Sequence, residues 1–223
     1  MRRLPVAVAF AGALLAVASG AEAKAPPNLQ LCGASVCTPL AGTDAEIVAI
    51  NVFYGDARVV PPPLARPSDF YVLRWQFPNQ APGFAYYVPG SAVVRIATAS
   101  PGSYAAAGMW LRPNANVLKA LDTVSAGLEG VHPSVPARVT VAGQPARDPA
   151  SYTRVWTLGK PALPMHPHGW LVVRLTTPTA NPWSDWATDV QVSRRGGWLY
   201  RDGTFFRVPA KFAARIRARA PLR

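Results

Sequence analysis

Alternating apolar and polar positions dominate the chain and predict many short strands. The alternation is clearest in residues 46–54 (EIVAINVFY) and 170–176 (WLVVRLT). The same pattern predicts further strands at 69–77, 84–88, 91–97, 104–111, 138–142, 189–193, 198–201 and 204–208. Proline and glycine clusters separate most of these segments, as turns between strands do. The pattern therefore favours antiparallel sheets and disfavours long helices.

Two segments instead carry apolar residues at helical spacing. Residues 117–128 form the first, and Asn116 is predicted to cap that helix. A short helix is predicted after Pro209, with Phe212 and Ile216 one turn apart. The expected fold is therefore mainly β, with antiparallel sheets in a sandwich-like arrangement, one central helix and a short C-terminal helix.

The predicted elements divide the chain into four regions. These are a signal peptide (1–23), an N-terminal β-rich half with a disulfide and a helix (24–130), a C-terminal β-rich half (131–208) and a basic tail (209–223). The second half is expected to end in a meander, because Asp202-Gly203 lies between two aromatic strands and is a strong hairpin signal.

The N-terminal residues have the pattern of a secretory signal. Arg2 and Arg3 precede an apolar run, and Ala21-Glu22-Ala23 matches the small-x-small site that signal peptidase prefers. We predict cleavage after Ala23 and a secreted or extracytoplasmic protein associated with the cell envelope. The alternative is that the segment is retained as a membrane anchor. No later stretch of the sequence is long and apolar enough to span a membrane.

Cys32 and Cys37 are the two cysteines of the chain. In an exported protein two lone cysteines usually pair, so we predict a structural disulfide. A thioredoxin-like site would need Cys-x-x-Cys, and a zinc site would need four ligands.

Positive charge is concentrated at the C-terminus. The chain has 23 Lys and Arg against 11 Asp and Glu, a net charge of +12. Residues 207–223 contain six of the basic residues and no acid, and five of them are proposed to bind an anionic surface: Lys211, Arg215, Arg217, Arg219 and Arg223. Export argues against nucleic acid, so the expected partners are an anionic envelope polymer or lipid headgroups. The alternative is a docked terminal helix with solvated arginines.

The sequence lacks the common catalytic signatures, including Gly-x-Ser-x-Gly, the P-loop and His-Glu-x-x-His. No cofactor is expected. Trp183, Asp185 and Trp186 form a candidate ligand-binding group, because flat aromatic rings beside a carboxylate can stack on a sugar and hydrogen-bond to it. The alternatives are that the tryptophans fill a core and that Asp185 shapes a turn.

His166 and His168 lie two residues apart and are preceded by Met165. In an extended segment they would share a face, and copper accepts this ligand set. A metal site would need further ligands, and the neighbouring prolines favour a rigid surface loop instead.

The order of the features resembles secreted proteins of high-GC bacteria. It includes Cys32-Gly-x-x-x-Cys37, the run 148–152, Pro182-Trp183 and an arginine-rich end, and the resemblance implies no activity. The function expected from the sequence is a secreted or envelope-associated, non-catalytic binding protein. The alternative is a secreted hydrolase or metal-dependent enzyme with a site assembled from distant residues.

Overall fold

A computed structural model describes residues 28–76, 81–98, 105–163 and 169–218. These residues form two seven-stranded sheets, in which the paired strands are antiparallel. The first sheet contains β1 (Asn28–Cys32), β2 (Cys37–Leu40), β3 (Arg58–Val60), β4 (Tyr71–Gln76), β5 (Gly83–Val88), β6 (Val93–Ile96) and β7 (Trp110–Arg112), in the order β2-β1-β4-β5-β6-β7-β3.

The second sheet is built from the later part of the chain. It contains β8 (Arg138–Val141), β9 (Gln144–Pro145), β10 (Lys160–Pro161), β11 (Trp170–Thr176), β12 (Ala187–Ser193), β13 (Trp198–Arg201) and β14 (Thr204–Arg207), in the order β10-β14-β13-β12-β11-β8-β9. The mainly β, sandwich-like arrangement expected from the sequence is confirmed.

Three α-helices accompany the sheets: α1 (Gly42–Phe53), α2 (Ala115–Ser125) and α3 (Ala210–Arg217). Two 3₁₀ segments span Pro89–Ser91 and Pro149–Trp156. Helices α2 and α3 confirm the predicted central and C-terminal helices. The cap of α2 is Asn114, whose side chain accepts a hydrogen bond from the backbone N–H of Val117, and not the predicted Asn116. No helix of the described residues is long and apolar enough to cross a membrane.

The strand predicted at 46–54 is wrong, because this segment forms helix α1. The segment fits both periods. Val48 and Val52 lie one helical turn apart and are completely buried, whereas Ile50, which alternates with them, is 51% exposed. Tertiary packing selected the helix because the helical face also buries Ala45, Ala49 and Phe53.

The disulfide predicted between Cys32 and Cys37 is confirmed. The two cysteines lie directly opposite each other on β1 and β2. The loop that they close docks near the end of α2, where the backbone N–H of Ala34 donates to the carbonyl of Glu129. Gly33 lies so close to that carbonyl that a β-carbon would come within 2.2 Å of its oxygen. The bridge therefore secures the edge of the first sheet against the segment that follows α2.

A hydrophobic core lies against each face of the first sheet. One lies between the sheet and helices α1 and α2, and it contains Leu73, Trp75 and Val52. The other face of the first sheet contributes Tyr86, Val88 and Trp110 to a second core, which also holds the inner face of the second sheet. The 3₁₀ segment Pro149–Trp156 and helix α3 pack on this second core. The first sheet is therefore covered on both faces.

Candidate anionic-ligand interface

The outer face of the second sheet carries four half-buried aromatic side chains. Trp170, Trp198, Tyr200 and Phe205 occupy outward positions, whereas their neighbours Leu171, Leu199 and Phe206 point into the core. Three of the rings contact one another: the centroids of Tyr200 and Phe205 are 4.7 Å apart, and those of Trp170 and Phe205 are 5.9 Å apart. The result is a connected aromatic surface across β11, β13 and β14.

Two cations complete this surface. The guanidinium of Arg207 lies over the ring of Trp198, 4.8 Å from its centroid, as in a cation–π contact. Lys160 of β10 is directly opposite Arg207 of β14 in the strand register. Both cations are exposed, and neither forms an ion pair within the described part of the chain. We call these six residues the aromatic–arginine face: Lys160, Trp170, Trp198, Tyr200, Phe205 and Arg207.

The β-hairpin at Asp202-Gly203 sets the alignment of this face. Both residues have positive φ, 46° and 72°, as a two-residue type I′ turn requires. The turn pairs Tyr200 with Phe205 and Trp198 with Arg207. The hairpin predicted from the sequence is confirmed, and its register places aromatic and basic side chains on the outward side.

One carboxylate shares the outer face but is already paired. Asp189 receives two hydrogen bonds of 2.7 Å from the guanidinium of Arg174, its direct neighbour on β11. These hydrogen bonds lower the pKa of Asp189 and raise the pKa of Arg174. Among the described residues of the sheet, the cations of the aromatic–arginine face therefore have no free carboxylate beside them.

Helix α3 carries further basic residues and buries its apolar side. Ala213 and Ile216 are buried in the second core, and Phe212 packs against it. Arg217 binds the turn between β12 and β13, where its Nη1 donates to the carbonyl of Gly196 at 2.6 Å. Lys211 and Arg215 remain exposed. The docked helix considered as the alternative is thus what the structure shows, and two of the five proposed basic residues are left free on it.

The other residues proposed from the sequence are placed differently. Arg219, Arg223, His166 and His168 lie outside the described residues. Within those residues, no three His, Cys, Asp or Glu side chains are grouped so that they could hold a metal ion. The predicted signal peptide, residues 1–23, also lies outside them.

Trp183, Asp185 and Trp186 do not form one open platform. Trp183 is 3% exposed, and its ring packs 6.2 Å from that of Trp110. Asp185 forms an ion pair of 2.8 Å with the buried Arg95. Only Trp186 is widely exposed, at 59%, and its φ of +70° is unusual for a bulky residue. Trp183 is therefore a core residue, as the alternative interpretation of the sequence expected. Asp185 links its loop in the second half of the chain to the first sheet.

The environment of the Arg95–Asp185 pair also affects a buried tyrosine. Burial is the largest cause of the raised pKa of Tyr86, and the neighbouring Asp185 carboxylate raises it further. Arg95 lies 5.9 Å from the ring centroid of Trp110, and its Nε has no hydrogen-bond partner in the part of the chain that the structure describes. This cluster joins β5, β6 and β7 to the loop before β12.

Charge is distributed very unevenly between the two parts of the chain. Residues 24–130 contain seven Lys and Arg against six Asp and Glu, whereas residues 131–223 contain 14 against four. The region that forms the second sheet and α3 therefore carries nearly all of the net positive charge. The aromatic–arginine face lies within this region.

No protein-family model matches this sequence, and no curated protein or solved structure shows significant similarity to it.

The sequence pattern contains the signal for part of the aromatic–arginine face. Counting outward from Asp202-Gly203 with a two-residue loop pairs Tyr200 with Phe205 and Trp198 with Arg207. The position of Lys160 is not predictable from this hairpin. Strand β10 has only two residues, and it pairs with β14, which is distant from it in the sequence.

Proposed function

We propose that the protein is a non-catalytic binding protein that attaches to an anionic polymer of the cell envelope. The observation that carries this proposal is the aromatic–arginine face, with Arg207 stacked on Trp198 and Lys160 directly beside it. The exposed Lys211 and Arg215 of α3 add to the same basic region of the chain. Export of the protein is part of the proposal, and the Cys32–Cys37 bridge supports it because disulfides persist in oxidising compartments.

The chemistry of the face suits a charged polysaccharide. Aromatic rings offer flat apolar surfaces on which the apolar side of a sugar ring can stack. A guanidinium forms paired hydrogen bonds with carboxylate or phosphate groups. Arg207 is held over the ring of Trp198, so the cation lies on the aromatic surface itself.

The packing of α3 favours a polymer over a lipid surface. A helix that binds the membrane interface must turn its apolar residues toward the acyl chains. In α3 the apolar residues Ala213 and Ile216 are buried in the protein, and Phe212 packs there as well. The helix therefore presents charge to its surroundings, and it has no free apolar stripe to insert.

Binding to soluble polymers tests the proposal. The mature protein should bind polygalacturonate at low salt and release it as the Debye length falls from about 10 Å at 0.1 M to about 3 Å at 1 M. The double variant K160Q/R207Q should bind about tenfold more weakly, since each exposed ionic contact contributes up to about 1 kcal/mol. A neutral polysaccharide of similar length should bind much less.

The control is R74Q/R112Q, which removes two exposed charges from the first sheet. It lowers the net charge by the same amount, so it should leave polymer binding nearly unchanged. Equal loss in both double variants would contradict a specific face, and equal affinity for duplex DNA would contradict selection of an envelope polymer. A second double variant, K211Q/R215Q, measures how much α3 contributes to polymer binding. Unlike deletion of the helix, it does not expose the second core.

A further inference from the structure

A second candidate binding site lies where the two parts of the chain meet. A cavity of about 560 Å³ opens between the segment before β4, the segment before β8 and the end of the 3₁₀ segment. Its volume is within the range of about 300–1,000 Å³ found for small-molecule sites. None of its lining residues belongs to the aromatic–arginine face.

The lining combines apolar side chains with unpaired positive charge. Leu64, Pro67, Val135 and Leu158 supply apolar surface, and Arg66 and Arg154 supply the charge. The described lining residues include no acid. Neither arginine forms an ion pair among the described residues, and Arg154 is held by a cation–π contact 6.0 Å from the ring of Phe212.

A third positive charge is buried behind the wall of this cavity. Arg201 is 1% exposed, and its Nη1 donates to the carbonyls of Val155 at 2.7 Å and Leu158 at 2.9 Å. Its Nε and Nη2 have no hydrogen-bond partner and it forms no ion pair within the described residues, although the nearby Asp202 carboxylate attracts its charge. Burial lowers the pKa of Arg201 to about 10, so the side chain stays charged at neutral pH.

A buried donor in the same wall also lacks a partner. Trp156 lines the cavity and is 2% exposed, and its indole N–H makes no hydrogen bond to any described residue. Buried polar groups are usually satisfied, and a buried N–H donor without an acceptor costs free energy. An anion in the cavity would lie in the field of three arginines and offset that cost.

We propose that this cavity binds a small amphipathic anion, a carboxylate or phosphate group on an apolar chain. Arg66 and Arg154 hold the anionic group, and the apolar body contacts Leu64, Pro67, Val135 and Leu158. Arg201 does not touch the ligand, because its guanidinium already donates to the carbonyls of Val155 and Leu158. Its positive charge attracts the anionic group electrostatically through the cavity wall.

Calorimetric titration with matched ten-carbon probes tests this proposal. Decanoate and decyl phosphate, below the concentrations at which they form micelles, should both bind, and their relative affinities identify the preferred anionic group. Decanol and decyltrimethylammonium should bind at least tenfold more weakly. Equal binding of decanol would overturn the anionic site, and failure of both anions to bind would overturn the cavity as a ligand site.

Variants locate the site and separate it from polymer binding. R66Q and R154Q should each weaken decanoate binding about tenfold, and R112Q, an exposed arginine outside the cavity, should not. Decanoate should also shift the indole N–H resonance of Trp156, identified as the signal missing from W156F. Unchanged affinity in both R66Q and R154Q would refute the proposal. Polymer binding by R66Q should remain normal, so the two proposals can fail independently.

Discussion

The two sheets differ in what covers them. The first sheet is buried on both faces, by α1 and α2 on one side and by the second core on the other. The second sheet is buried on one face only, and its outer face carries half-buried rings beside cations. Antiparallel sheets with one solvated face normally place polar residues there. Large aromatic side chains in those positions are the basis of the proposed binding surface.

The charge distribution follows the same division. Residues 24–130 are nearly neutral, whereas residues 131–223 have 14 Lys and Arg against four Asp and Glu. Concentrated like charge destabilises a compact state through self-repulsion and attracts a partner of opposite charge. In the proposed function, the first sheet supports the fold and the second sheet presents the binding surface.

The largest expected effect is a difference in stability between a tryptophan variant in the first sheet and one in the second. Trp75 is 1% exposed and packs 4.3 Å from the ring of Phe53, so W75A should lower the free energy of unfolding by about 3–5 kcal/mol. Trp198 is half-buried on the outer face, so W198A should cost about 1 kcal/mol, close to the value of its cation–π contact. Urea denaturation measures both. Equal losses would show that the outer aromatic residues are structural.

The disulfide provides the next test of the first sheet as the supporting element. The double variant C32A/C37A should lower the free energy of unfolding by about 2 kcal/mol, the value expected for closing so short a loop. Its affinity for the polymer should not change, because β1 and β2 lie in the other sheet. Denaturation curves of the wild type with and without reductant provide the control. A loss of polymer binding in the folded variant would break the division between the sheets.

A matched pair of variants tests which residue caps helix α2, one of the helices that cover the first sheet. N114A should cost about 1 kcal/mol, because it removes the acceptor for the backbone N–H of Val117. N116A, within the same helix, should change stability by a few tenths of a kcal/mol. Thermal unfolding compares the two. A larger loss for N116A would contradict the observed start of the helix.

The smallest effect is expected in the second half, at Trp186. Its φ of +70° is unfavourable for a bulky residue, and 59% of its surface is exposed. W186G should therefore raise the free energy of unfolding by about 0.5–1 kcal/mol, since glycine accepts a positive φ without strain. A loss of stability would show that the exposed ring contributes packing that outweighs its backbone strain.

Strands with clear alternation and flanking turn residues were predictable. Residues 170–176 and 198–201 form strands with the predicted bounds, because each has one fully buried face. Helix α1 was not predictable from alternation, since its apolar positions satisfy both periods and only packing against the first sheet distinguishes them. Short strands such as β2 and β10 carry too few residues to show any period.

For the candidate sites, too, the sequence predicts contacts within a local hairpin but not contacts between distant residues. The pairing of Trp198 with Arg207 follows from a local hairpin and could be read from the sequence. The cavity beside Arg66 and Arg154 joins residues almost 90 positions apart, and no local pattern predicts such a meeting. The burial of Trp183 likewise depends on Trp110, which comes from the other sheet.

Hydrogen exchange of the mature protein with and without polygalacturonate tests the central claim most directly. The account predicts slower exchange in β13, β14 and the Gly196 turn when the polymer is bound, and unchanged exchange in β1, β4 and β5 of the first sheet. Protection centred on the first sheet, or spread evenly over both sheets, would contradict the assignment of binding to the second.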